Sequence, residues 1–230
     1  MVIIMQYFLD SADASVIRAA LAEYPLAGVT TNPTILARDL PASATLAEGL
    51  AELRSLTGDK LLFVQVTSDD ADGMIEDAHR IIDSIGGRLS IKLPACPEGF
   101  AALKYLAAEG ISVTITAAYT TSQAMLAAAA GADYVAPYIS HIDNLSLDGP
   151  TTACEMARQL KLHGYTTKVL AASFRTAAQV ERVIAGGAEA VTITADMLGQ
   201  LAYNTNTERE IEKFHENWSR RFDGGIRELL

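Results

Sequence analysis

The sequence predicts a single (β/α)8 TIM barrel followed by an extra C-terminal helix. Three observations carry this prediction. Eight short apolar runs of strand length alternate with stretches of helical periodicity, the pattern of a parallel sheet. The chain has 230 residues, half of them hydrophobic, which suits one sizeable core and is close to the usual size of a barrel domain. No linker, repeat or low-complexity segment interrupts the alternation. Eight units in this length favour closure over an open, doubly wound sheet.

The first strand runs from Ile3 to Leu9 and ends at Asp10. Ser11 and Asp13 supply capping side chains for a helix to Tyr24. Leu26 to Thr30 is a second short strand. It runs into Thr31-Asn32-Pro33, where proline pushes Asn32 out of the helical region and opens a helix. Helical periodicity from Ser43 to Leu56 stops at Gly58-Asp59, and Leu61 to Thr67 is strand three. Ser68 to Asp70 cap a helix that Gly86-Gly87 closes near Ile85. Strand four is Leu89-Ser90-Ile91-Lys92-Leu93-Pro94. A helix follows from Pro97 to Glu109, then strand five from Ser112 to Thr116 and an alanine-rich helix from Thr121 to Ala130. Strand six is Asp133 to Tyr138, with a longer loop from Ser140 to Gly149 and a helix from Pro150 to His163. Strand seven (Lys168 to Ser173), a helix (Thr176 to Ala185) and strand eight (Glu189 to Thr194) complete the barrel. A short helix and the stretch Tyr203 to Thr207 close the barrel domain, 1–207. In 208–230 an amphipathic helix runs from Glu208 to Phe222. Ile211, Phe214 and Trp218 share one face, suited to packing on the barrel or, as favoured here, on a neighbouring subunit.

The net charge of -10 argues against nucleic acid and anionic membrane as partners, though not against a local basic pocket for a phosphorylated substrate. Cys96 and Cys154 have no paired spacing, which suits reduced thiols and a cytoplasmic setting. No apolar run reaches membrane-spanning length. The segment Met1 to Gln6 lacks the features of a secretory leader, and Met5 is an alternative start.

Strands of a parallel barrel are covered on both faces, so polar side chains within them are the informative ones. Strand side chains alternate between faces. Alternation sets Gln65 with Phe63 and Thr67 against Leu62, Val64 and Val66. It sets Thr114 and Thr116 against Val113 and Ile115, and Tyr138 with Tyr134 and Ala136 against Val135 and Pro137. In strand seven it sets Ser173 with Ala171 against Leu170 and Ala172. The result is eight polar groups near strand C-termini: Asp10, Thr30, Asn32, Gln65, Lys92, Thr116, Tyr138 and Ser173. One such residue is readily a satisfied core group. A full ring at corresponding positions predicts a polar pocket at the mouth where barrel active sites lie.

The chemistry of that pocket follows from its residue types. His79, His141, His163 and His215 are scattered, with no metal-ligand spacing, and no phosphate loop or G-x-G-x-x-G is present. One enclosed lysine, one phenol, one carboxylate and several neutral hydrogen-bonding groups suit imine chemistry. An ammonium stripped of water loses its proton more easily and becomes a nucleophile toward a carbonyl. The resulting iminium is an electron sink for making or breaking an adjacent C–C bond. A group such as Tyr138 shuttles the proton, directly or through a held water.

The segments Phe8-Leu-Asp10-Ser, Ala27-Gly-Val-Thr-Thr-Asn-Pro33-Thr, Val64-Gln65-Val, Ile91-Lys92-Leu-Pro94, Ala136-Pro-Tyr138 and Val169-Leu-Ala-Ala-Ser173-Phe-Arg175-Thr resemble the transaldolase family, most closely its short fructose-6-phosphate aldolase members. The resemblance covers essentially the whole chain. It implies a class I, metal-free aldol reaction with no cofactor. Lys92 is then the Schiff-base residue; Asp10 and Asn32 bind or protonate substrate hydroxyls; Gln65, Thr116 and Tyr138 hold the catalytic water. It further implies a sugar or sugar-phosphate substrate and a homo-oligomer, pentamer or decamer, in which the terminal helix embraces a neighbour. Gln65 and Tyr138 look like the aldolase type, where true transaldolases usually carry glutamate and phenylalanine. That type joins dihydroxyacetone or a similar ketone to glyceraldehyde 3-phosphate. One departure stands out. His141 replaces the family's usual phosphate-binding arginine, while Ser173 and Arg175 keep the rest of that subsite, and the loop Ser140 to Gly149 also departs. An imidazole grips a phosphate dianion less well than a guanidinium fork, so weaker phosphate selectivity is expected. The competing readings are a transaldolase that passes the three-carbon unit to a second aldose, a non-catalytic sugar-phosphate-binding barrel, and a metal-dependent aldolase.

Overall fold

The computed structural model describes residues 4–229. Eight parallel strands close into a barrel in sequence order: β1 (Gln6–Asp10), β2 (Gly28–Thr30), β3 (Leu61–Gln65), β4 (Leu89–Pro94), β5 (Val113–Ala118), β6 (Tyr134–Pro137), β7 (Lys168–Ala171) and β8 (Ala190–Ile193). β8 closes the ring on β1, Gln6 to Leu9 standing opposite Ala190 to Ile193. This is the expected (β/α)8 architecture. Six of the strands are shorter than the apolar runs that encode them, because ladder pairing ends before the apolar character does; β4 matches its run, and β5 continues past Thr116 to Ala118. Ile3, expected to open strand one, lies outside the described residues.

Side-chain caps fix where the helices begin. Asp13 accepts hydrogen bonds from the amides of Ser15 and Val16 and starts α1 (Ala14–Glu23). Asn32, held extended before Pro33, accepts from the Ile35 amide and starts α2 (Pro33–Asp39). α3 (Leu46–Thr57) begins later than the expected Ser43 because Thr45 and Glu48 form a reciprocal capping box. Asp70 caps α4 (Ala71–Ile85), and Pro97 sits in the first turn of α5 (Pro97–Ala108). Capping boxes also open α6 (Thr121–Ala129) at Thr120 and α9 (Ala177–Ala185) at Thr176.

Two stretches expected as irregular are helical. The loop expected from Ser140 to Gly149 contains α7 (Ile139–Asn144), ahead of α8 (Gly149–Leu162). Ile139 and Ile142 are fully buried, an apolar pair too short to register as a period. Asp143 locks the turn, accepting from the Gly149 amide at 2.7 Å and from Gln179 Nε2 at 2.6 Å. The stretch expected to run irregularly from Tyr203 to Thr207 is cut short, because Asn204 accepts from the Asn206 amide and starts α11 (Thr205–Ser219).

The chain forms two compact units, the first ending at Ala195 and the second beginning at Asp196. The second contains most of α10 (Ala195–Ala202), α11, and α12 (Ile226–Leu229). Within it Trp218 packs on Phe222, ring centroids 4.6 Å apart, and donates Nε1–H to the Gly224 carbonyl. No residue of α11 is buried, and Ile211, Phe214 and Trp218 are all exposed.

Two layers make the core of the first unit. Outside the barrel, Ile91, Leu93, Val113 and Ile115 pack on Met74, Ala78, Ala102, Leu103 and Leu106, all buried. Inside, Phe8, Phe63 and Tyr134 meet edge to face, with centroids 5.0 to 6.3 Å apart, and with Ala136, Leu170 and Ala190 they seal the floor. Gly28 is required beside that floor, since a Cβ there would lie 1.9 Å from the Leu61 carbonyl oxygen. Gly28→Ala is expected to cost about 1–3 kcal/mol, and hence several degrees of Tm. An unchanged thermal unfolding curve would show that β2 and β3 are not packed this closely.

Candidate active site

The inner wall above the aromatic floor is polar. Ser90 and Thr114 share a hydrogen bond of 2.8 Å on adjacent strands. Higher up, a cavity of about 580 Å³ opens at the C-terminal mouth of the barrel. Asp10, Thr30, Asn32, Gln65, Lys92, Tyr138, His141 and Ser173 all line it. Seven of the eight strand-end groups expected at the mouth are therefore in this lining, Thr116 being the exception. Thr116 stands directly behind it, 1% exposed, with its Oγ1 donating to the Tyr138 hydroxyl at 3.2 Å. A one-residue irregularity in β5, with Ala117 at φ 55°, shifts the β5–β6 register just beyond Thr116.

Lys92 sits mid-wall on β4, between Gln65 and Thr114 on the flanking strands. It is 5% exposed, and its Nζ donates to the Thr31 carbonyl at 2.7 Å. That carbonyl is available because Asn32 turns the chain out of β2 into α2. Burial lowers the Lys92 pKa from 10.5 to about 8, with the Asp10 charge opposing the shift. Asp10 is the complementary case. Burial pushes its carboxyl up, while Lys92 and the hydrogen bond from Thr30 hold it down. Thr30 Oγ1 donates to Asp10 Oδ1 at 2.6 Å and lies 2.5 Å from Thr192 Oγ1. Burial also raises the Tyr138 phenol, which stays protonated at neutral pH. Gln65 Oε1 is buried with no hydrogen-bond partner among the described residues. A buried acceptor left open in this way is ready for a water or a substrate hydroxyl.

Ser173 reaches the mouth by a route other than alternation. Leu170 on β7 and Ala172 just past its end line the cavity, so the inward face is the reverse of the one expected. Ser173 lies past the strand end at φ 62°, and this left-handed turn swings it back to the rim. There its hydroxyl lies 3.0 Å from Ser140 Oγ, and its carbonyl accepts from the Ser140 amide. Arg175 is not brought into the cavity wall. Its Nη1 donates to Asn144 Oδ1 at 3.0 Å, on α7. His141 faces the Tyr138 ring edge-on at 5.3 Å and lies 3.4 Å from the Tyr119 hydroxyl.

Three further residues line the cavity: Thr192, Thr194 and Arg38. Alternation applied to Ala190-Val-Thr192-Ile-Thr194 finds both threonines. Arg38 has no such signal, since one basic residue near a helix end is ordinary. Among the described residues no cluster of His, Cys, Asp or Glu is arranged to hold a metal ion. Nor is any helix among them long and apolar enough to cross a membrane.

Fold and site together define a parallel barrel that presents a desolvated amine, a phenol and a carboxylate to one enclosed space, an arrangement able to form an imine with a ketone. Comparison with known proteins then gives the family. The chain belongs to the transaldolase/fructose-6-phosphate aldolase family, whose model matches residues 7–228. A relative from Streptococcus pneumoniae, named "Probable fructose-6-phosphate aldolase", is 37% identical over 215 residues, 93% of this chain and 96% of the relative. Among solved structures, a thiamine phosphate pyrophosphorylase from Pyrococcus furiosus superposes with a TM-score of 0.57 at 16% identity, covering 84% of this chain and 86% of that one. That likeness is of fold alone.

Proposed function

We propose that this protein is a class I aldolase that makes and cleaves fructose 6-phosphate, or a related sugar, through an imine on Lys92. The observation that carries the reading is the enclosure of the Lys92 amine in the barrel mouth, beside Asp10 and Tyr138. The neutral amine attacks the ketone carbon, and loss of water gives an iminium. In cleavage the C–C bond electrons flow into that iminium, and the hydroxyl of the departing aldehyde gives up its proton. Protonation of the enamine carbon and hydrolysis then release dihydroxyacetone and free the amine. Tyr138, backed by Thr116, carries the proton directly or through water held with Gln65. The open Gln65 Oε1 supports this role. Asp10, Thr30 and Asn32 orient substrate hydroxyls. Gln65 and Tyr138, rather than glutamate and phenylalanine, favour release of free dihydroxyacetone over its transfer to a second aldose. The exposed Ile211, Phe214 and Trp218 on α11 support docking on a neighbouring subunit in a pentamer or decamer, and a cytoplasmic setting suits the chemistry.

The test is release of free dihydroxyacetone from fructose 6-phosphate, with no second aldose, at full rate in chelator. Activity that requires an acceptor aldose would mark a transaldolase, and loss in chelator a metal-dependent aldolase. The pH profile follows from Lys92. Its folded pKa of about 8 lies below its ordinary value, so the nucleophilic amine accumulates as pH rises toward 8. With subsaturating ketone the rate should climb from pH 6 to about 8 and level off above. A rate that is flat across that range would contradict the assignment of the nucleophile.

A further inference from the structure

No step of the aldol reaction uses Thr192, yet the cavity wall holds it in a defined hydrogen-bond chain. Thr192 lies on β8, 4% exposed, and its hydroxyl is 2.5 Å from Thr30 Oγ1 on β2. Thr30 Oγ1 in turn donates to Asp10 Oδ1 on β1 at 2.6 Å. A hydroxyl has one proton to give and two lone pairs to receive with. Thr30 gives its proton to Asp10, so in the contact between the threonines Thr30 accepts and Thr192 donates. The chain therefore runs one way, from Thr192 through Thr30 to Asp10. We infer that Thr192 is a positioning residue, which fixes the direction of the Thr30 proton and so presents Asp10 to the substrate as an ionised acceptor. A substrate hydroxyl then donates to Asp10 rather than taking a proton from it.

Other buried threonines satisfy themselves on the main chain. Thr31, Thr57 and Thr167 donate to the carbonyls of Phe63, Leu53 and Ala132. The chain from Thr192 ends instead on a carboxylate that lines the cavity. Register explains why it needs a middle link. Asp10 stands opposite Thr30, whereas Thr192 stands opposite Phe8, two residues further back on β1. Among the described residues no hydrogen bond engages Asp10 Oδ2, which leaves that oxygen for the substrate. A hydrogen bond to a charged acceptor is stronger than one to a neutral acceptor, and a donor placed behind the first strengthens it further. The charged and titratable groups acting on Asp10 are Lys92 on β4, Tyr138 after β6, and Arg38 and Asp39 on α2, with His141 on α7 in the same cavity. None of them has a described hydrogen bond with Thr192, so a change at Thr192 reaches Asp10 through Thr30.

This inference rests on the aldolase reading, and the experiment keeps the two separable. At saturating fructose 6-phosphate the amine is held as the iminium, so the acid limb of kcat reports Asp10 rather than Lys92. In Thr192→Val that limb should move up by about half a pH unit to one unit, and the deficit in kcat should narrow as pH rises. Thr192→Ser, which keeps the hydroxyl, should restore the parental limb. In a Thr30→Val background, where the chain is already cut, Thr192→Val should move the limb no further. A packing role would lower the rate equally at every pH and in both backgrounds. The second arm needs no turnover. Burial raises the Asp10 carboxyl above its ordinary value of 3.8, and loss of the Thr192 donor raises it further. The added cost is absent where both states are protonated and appears as pH rises through the folded value. The Tm deficit of Thr192→Val should therefore be small near pH 3.8 and widen toward pH 7. In an Asp10→Asn background it should be the same at both. If the protein shows no aldolase activity but the deficit widens only when Asp10 is present, the aldolase reading fails and the chain stands. If the limb of Thr192→Val coincides with that of the parent, or its Tm deficit ignores pH, the inference is overturned.

Discussion

Lys92→Met is expected to abolish turnover, lowering kcat by about 10³-fold or more, the scale on which loss of a nucleophile acts. The same substitution is expected to stabilise the fold at neutral pH. The folded protein holds Lys92 at a pKa of about 8 against 10.5 when exposed to water. Keeping it charged inside the barrel therefore costs on the order of 3 kcal/mol. That cost is fully present below pH 8. It fades as pH rises from about 8 to 10.5, because the folded state has already released the proton that the unfolded chain still binds. The Met variant should thus melt higher at pH 7, with the gap closing toward pH 10. Asp10 offsets part of the gain, since it loses its counter-charge while burial still pushes its carboxyl up. A variant that melts lower at pH 7 would mean that Lys92 is retained for packing rather than for chemistry.

Tyr138→Phe is the second large effect. The phenol lines the cavity and accepts from Thr116 Oγ1, and burial keeps it protonated through the neutral range. Removing a positioned proton-transfer group costs about 10²–10⁴-fold in rate. The fall should appear in kcat. At saturating dihydroxyacetone, the yield of reducible imine should stay near that of the parent, because attack by Lys92 comes first. The rise in rate toward pH 8 should also persist, since it belongs to the amine. Steady-state kinetics beside imine yield separates the roles. Loss of imine in proportion to kcat would place Tyr138 at the dehydration of the carbinolamine instead.

The barrel was legible because its encoding is redundant. Eight apolar runs separated by helix starts and glycine stops agree with one another, and a shift of a residue or two at any boundary leaves the topology intact. The mouth was legible wherever alternation continues to the strand end, as at Asp10, Gln65, Lys92 and Tyr138. Ser173 is at the mouth as expected but not for the expected reason, because β7 ends at Ala171 and the chain then turns through a left-handed residue, which no period-2 argument anticipates. α7 was hidden by its shortness, and its stability comes from Asp143 contacts to distant residues. Arg175, expected at the mouth, is absent from the cavity wall, and Arg38, which carried no expectation, lines it, for a related reason. Each is a long side chain whose direction is decided by partners, Asp39 and Asn144, that sequence spacing does not assign to it.

The most direct test is chemical trapping. The protein is incubated with dihydroxyacetone, reduced with borohydride, digested and examined by mass spectrometry. A three-carbon adduct on Lys92, absent from every other lysine and from the Met variant, is the predicted result. An unmodified Lys92 in a preparation that still cleaves fructose 6-phosphate would contradict the account.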